Sequence, residues 1–172
     1  CQELSLDAMV MSNGEVFRQD PAYLARLVTE GGLAKVAIHV DTTQRGRPGT
    51  TGRRREAELH PIRQELAQVI RQTRVQTGRP LHAAHTVTVT EENLGDMSEV
   101  VRWTLRNADA FRLLSFKPVA AIGRSRVPSL PQARWRLWQA IEAGAGMPLN
   151  PHAFQFGHPA CSQVALLFVV QF

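Results

Sequence analysis

From Thr86 to Thr90 the chain alternates polar and apolar residues without a break, and Val87 and Val89 fall on one side of a period-two ribbon with Thr86, Thr88 and Thr90 on the other. β-branched residues fit such a pleated surface, so a strand is predicted here. Asn93 is placed to cap a following helix, with Asp96 near the positive end of its dipole. Leu94, Met97, Val101 and Leu105 recur at helical spacing, and Asn107 is its expected stop. Phe111 to Phe116 then predicts another strand. Upstream the same rhythm holds. Glu3 to Val10 is strand-like and ends at the turn signal Ser12-Asn13-Gly14. Asp20-Pro21 opens a helix with Leu24, Leu27 and Val28 on its apolar face, and Gly31-Gly32 ends it. Val36 to Val40 predicts a second strand, with His39 and Asp41 on one side and Ile38 and Val40 on the other. A long helix is expected from Glu56 to Thr77, carrying the stripe Leu59, Ile62, Leu66, Val69 and Ile70.

Strand-helix alternation of this kind predicts an α/β fold with a parallel sheet. Four strands do not close a barrel, which takes about eight. An open sheet or an incomplete TIM-type (β/α) barrel remains. In either, chemistry sits at the carboxyl ends of the strands. After Gly123 the character changes. Ser129 and Gln132 are spaced as a capping box for a helix through Trp135, Leu137, Trp138 and Ile141. Val164 to Val170 is an apolar, β-branched run, expected as a strand beside that helix. The expected division is residues 1–126 for the strand-helix unit and 127–172 for a small C-terminal appendage.

Composition adds three constraints. The 172 residues suffice for one ordinary domain. No run is long and apolar enough to span a bilayer and no secretory signal is visible, so the cytoplasm is the default expectation. The chain starts at Cys1 rather than Met, so further sequence upstream is expected. Much of the net charge of +5 sits in Arg45, Arg47, Arg53, Arg54 and Arg55, within a Gly- and Thr-rich loop. Guanidinium groups suit phosphate or carboxylate. No aromatic residue interleaves with them, so nucleic acid is not the expected partner. The two cysteines, Cys1 and Cys161, are too few for a disulfide scaffold.

The strand ends in chain order are Ser12-Asn13-Gly14, His39-Val40-Asp41, Thr88 to Asn93, and Ser115 to Pro118 followed by Ile122-Gly123-Arg124. This order resembles the second half of a radical S-adenosylmethionine (SAM) enzyme barrel. There the third strand often ends in Thr-Asn-Gly, the fourth in a short polar and acidic pattern, the fifth in a Val/Thr strand followed by Asn-Leu, and the sixth in a Pro/Gly loop. The resemblance covers about Leu4 to Arg126. His158-Pro159-Ala160-Cys161 also resembles a His-Pro-x-Cys element of some lipid-modifying members. The Cys-x-x-x-Cys-x-x-Cys loop that defines the superfamily is absent, as is the Gly-Gly-Glu element. Both would lie before Cys1.

The resemblance implies that this chain is the C-terminal part of a radical SAM enzyme. The complete protein would use SAM and a 4Fe–4S cluster, the missing N-terminal half of the barrel, an electron donor protein, and a small-molecule or lipid-like substrate. It implies cofactor contacts from Ser12, Asn13, His39, Asp41, Thr90, Asn93 and Phe116, with His39 donating a hydrogen bond. Arg45, Arg47 and Lys117 would meet substrate, and Cys161 would join an auxiliary cluster. Each residue also has a simpler reading: His39 as a hydrogen-bonded interior histidine, Asp41 as a cap for the loop after it, Asn93 as a helix cap. The competing function is a cluster-less α/β binding domain that recognises an anionic ligand or a protein partner.

Overall fold

A computed structural model describes residues 8–44, 47–48, 52–120, 133–154, 157–158 and 162–170. It contains β1 (Met9–Ser12), α1 (Glu15–Gln19), α2 (Pro21–Thr29), β2 (Lys35–His39), α3 (His60–Thr77), β3 (His82–Val89), α4 (Met97–Arg106), β4 (Phe111–Pro118) and α5 (Ala133–Ala145). Short 3-10 turns, Glu56–Leu59 and Leu94–Asp96, lead into α3 and α4. The sheet has four strands in the order β1-β2-β3-β4, and every pairing is parallel. Neighbours in sequence are therefore neighbours in space, with a helical crossover between each pair.

The alternation along each strand divides the sheet into two unlike faces. One row joins Val10, Val36 and Ala83 to Phe111, and the next joins Ser12, Ile38 and His85 to Leu114. This face packs on the helices. Val36, Ile38 and Val40 share a core with Phe17, Leu24 and Val28 and with Leu59, Leu66 and Ile70. Val87 and Val89 share a second core with Met97 and Val100, which Leu137 of α5 completes. On the other face Met11, Ala37, Ala84 and Leu113 form one row. Met9, Met11 and Leu113 are more than half exposed, and among the described residues no helix contributes to a core there. Parallel sheets are normally covered on both faces. Among the described residues, helices cover this one on one face.

Local chemistry accounts for the element limits. Asp20 caps α2 by accepting the Tyr23 amide at 3.1 Å, with Pro21 at the first helical position. Pro61 is the second residue of α3, still in the first turn where a missing amide hydrogen costs nothing, and Gly78 closes α3 at φ 61°. Gly14 turns the chain from β1 into α1 at φ 79°, and a Cβ there would lie 2.7 Å from Leu66 Cδ2.

Four expectations need correction. The first strand runs through Ser12 instead of stopping at Val10; residues 3–7 lie outside the described residues. Helix α1 was not foreseen, because five residues carry too little periodicity; it forms because Asn13 Oδ1 accepts the Glu15 amide at 3.0 Å and Phe17 is buried. Asn93 does not cap α4 with its side chain. Its amide is drawn into other bonds, described below. Val164 to Val170 is not a strand: its ladder contact is a single antiparallel bridge, Phe154 to Val164, and Leu166, Phe168 and Val170 are exposed. A β-branched apolar run becomes a strand only where it pairs along its length with a neighbour. The proposed capping box at Ser129 and Gln132 lies outside the described residues, as do Ile122-Gly123-Arg124.

Helix α5 rests on α4 through a close approach at Gly144. A Cβ there would fall 2.5 Å from Val101 Cβ and 2.6 Å from the Ser98 carbonyl oxygen. Gly144→Ala is expected to destabilise by about 1–3 kcal/mol through overpacking, despite alanine's higher helix propensity. A thermal melt checks this, and a raised Tm would contradict the close packing.

Candidate functional site

Parallel pairing brings the carboxyl ends of all four strands to one edge of the sheet. His39 ends β2, and Asp41, two residues on, stays on the same side. Asp41 Oδ1 accepts the Thr43 amide at 2.9 Å and the Thr43 hydroxyl at 2.6 Å, which turns the chain back on itself. Asp41 Oδ2 accepts the Thr88 amide at 2.6 Å and meets His39 Nε2. The carboxylate is 1% exposed and four donors surround it. Burial pushes this acid up, but the bonds from His39, Thr43 and Thr88 outweigh it and hold the acid at about 2. Thr88 Oγ1 lies 3.1 Å from His39 Nε2. Asp41 thus joins the ends of β2 and β3 and holds His39, whose side chain is 35% exposed.

Beneath this layer lies a buried ion pair. Arg63 of α3 meets Glu56, and both side chains are almost wholly enclosed. Arg63 also donates to the carbonyls of Glu56, at 2.6 Å, and Val40, at 3.0 Å. Glu56 Oε1 accepts the amide and hydroxyl of Thr42, at 2.9 and 2.7 Å, and Asn93 Nδ2 at 3.0 Å. Asn93 also donates to the Thr88 carbonyl and accepts the Thr90 amide at 2.8 Å. It clasps the loop after β3 onto Glu56. His85 Nε2 lies 3.1 Å from the Val40 carbonyl and 3.3 Å from Arg63 Nε. Burial, and then the adjacent Arg63, push its pKa down to about 3, so its ring is neutral.

Above the dyad, on the uncovered face, is a hollow of about 290 Å³ lined by Met11, Ser12, Asn13, Ala37, His39, Gln44 and Thr86. Ser12, Asn13 and His39 therefore come together. Asp41 lies behind them, and Thr90 and Asn93 are one step further back, tied to each other. Phe116 packs its ring toward the second core, away from the hollow. Lys117 is exposed at the end of β4, in register with Thr88. Arg47 corrects the expected substrate grip: its side chain is buried and donates to the carbonyls of Asn13 and His39 and to Gln44 Oε1. Arg55 pairs with Asp96. Among the described arginines of this loop, Arg47 is buried and Arg53, Arg54 and Arg55 are exposed. Arg45 and Cys161 lie outside the described residues.

Sequence reasoning missed Gln44, Met11 and the Glu56–Arg63 pair. Gln44 and Met11 carry no local signal. Glu56 and Arg63 stand seven residues apart, and only the burial of both reveals the pair.

Among the described residues no group of three or more His, Cys, Asp or Glu side chains is placed to hold a metal ion. The described strand ends carry no thiolate, so they do not fit an iron–sulfur cluster. The hollow fits a small neutral ligand portion, since its polar lining is hydroxyl, amide and imidazole and its volume is near the lower limit of about 300 Å³ for small-molecule sites. No protein-family model matches the chain, and no curated protein matches it. No helix among the described residues is long and apolar enough to cross a membrane.

Proposed function

We propose that this chain is the C-terminal part of a radical SAM enzyme built on an incomplete β/α barrel. The observation that carries the proposal is the one-sided sheet. Four parallel strands in sequential order pack every described helix on one face and leave Met9, Met11 and Leu113 of the other exposed, with polar strand ends gathered beside it. In a β/α barrel the helices lie outside, the other face lines the lumen, and the carboxyl ends of the strands hold the active site. The remainder of the barrel would cover Met9, Met11 and Leu113.

In the complete protein the cluster and SAM supply the chemistry that removes a hydrogen atom from substrate. This chain contributes position. Ser12, Asn13, Gln44 and Thr86 offer neutral hydrogen-bonding groups to a polar part of SAM. His39, held by Asp41, stands at the centre of that edge. Lys117 reaches from β4 toward a small-molecule or lipid-like substrate, and an electron donor protein would dock on the part that carries the cluster.

The test is anaerobic iron analysis. The 172-residue chain alone is expected to take up no cluster. Protein that includes the sequence encoded upstream is expected to contain a Cys-x-x-x-Cys-x-x-Cys loop, to bind about four irons per chain as a 4Fe–4S cluster, and to cleave SAM. An upstream sequence without that loop, or a longer protein without iron, overturns the proposal and favours a cluster-less binding domain.

A further inference from the structure

Asp41 is ionised and its oxygens are occupied, so the His39 nitrogen that meets it must carry the proton. In the neutral ring the other nitrogen, Nδ1, is then an acceptor. The ring is 35% exposed and lines the hollow, whereas Asp41 is fully enclosed. Among the described residues, the other polar groups lining the hollow are the neutral side chains of Ser12, Asn13, Gln44 and Thr86.

We propose that His39 and Asp41 form a hydrogen-bonding dyad, in which His39 Nδ1 accepts a hydrogen bond from the hydroxyl group of a neutral small molecule seated in the hollow. The hydroxyl proton stays on the ligand oxygen, and the Nε2–H of His39 stays on Asp41. Asp41 is the positioning residue: it selects the tautomer and fixes the ring. Thr88 reinforces this by giving its amide to the same carboxylate oxygen that holds the ring. The inference does not depend on radical chemistry, because the dyad and the hollow belong wholly to this chain.

Two measurements on the 172-residue chain test it. In nitrogen-15 spectra, the neutral His39 ring is expected as the Nε2–H tautomer. In Asp41→Asn the carboxamide can donate to the ring, and the Nδ1–H tautomer is expected to appear. A purely structural role for Asp41 would not produce that change. The second measurement is acylation by diethyl pyrocarbonate, mapped by mass spectrometry. Half-buried His39 is expected to react faster than the exposed His82 and His152. Asp41→Asn is expected to slow His39 by about tenfold, the scale of one charge-assisted hydrogen bond, and to leave His82 and His152 unchanged. An Nδ1–H tautomer in the wild type, or a His39 no more reactive than His82 and His152, overturns the dyad even if the variant fails to fold. Either result leaves the iron test untouched.

Discussion

Arg63→Met is expected to lower the unfolding free energy by about 3–5 kcal/mol, the usual cost of removing one partner from a buried ion pair. The lost attraction is only part of the cause. Glu56 is 0% exposed, so its carboxylate would stay in a dry interior without its counter-charge. The carbonyls of Glu56 and Val40 would lose donors at 2.6 and 3.0 Å as well. Urea unfolding checks this as a fall in the midpoint at unchanged slope. The double variant Arg63→Met with Glu56→Leu removes the stranded charge and is expected to recover part of the loss. The recovery is partial because Thr42 and Asn93 then lose their acceptor. A cost below about 1 kcal/mol for Arg63→Met, the range of exposed pairs, would contradict a buried pair. The placement explains why so costly an arrangement is retained: it ties α3 to the ends of β2 and β3, directly beneath the dyad.

The second large effect belongs to Asp41 and depends on pH. Burial raises this acid, but His39, Thr43 and Thr88 together lower it from 3.8 to about 2. The folded state therefore binds this proton more weakly than the unfolded chain does. The resulting stabilisation is complete above about pH 4 and is lost as pH falls towards 2. Its size is about 2 kcal/mol, from roughly 1.4 kcal/mol per unit. Asp41→Asn removes the titration. The gap in stability between the wild type and this variant is expected to be widest near neutral pH and to narrow by about 2 kcal/mol between pH 5 and pH 2. A gap that does not change across that window would mean that the Asp41 carboxylate is not held as described.

Both effects show where sequence reading stops. Asp41 and His39 stand out in the chain because a spacing of two on a strand places them on one side, and that much is local geometry. The donor that completes Asp41 is the Thr88 amide, 47 residues away. Nothing in the alternation of β3 marks that amide as reserved for a side chain. Asn93 misled for a similar reason. An Asn before an apolar stripe is a good helix cap, but Glu56, 37 residues away, presents a stronger acceptor for its amide. Arg47 belongs to a cluster that looks cationic and open, and burial among backbone carbonyls removes it from the surface.

The alternating period of two and the helical stripes were enough to place three helix-bearing crossovers between four strands, because both periodicities are properties of neighbouring residues. They also separated the apolar side from the polar one in β2 and β3. What only the tertiary structure decided is which partners complete each polar group, that all the described helices share one face, and that Met9, Met11 and Leu113 of the opposite face stay exposed. Those outcomes depend on contacts between residues tens of positions apart, and a local pattern contains no record of them. The C-terminal run makes the same point in reverse: its residues read as a strand, but with no sheet edge beside it Val164 to Val170 forms a single bridge and leaves Phe168 97% exposed.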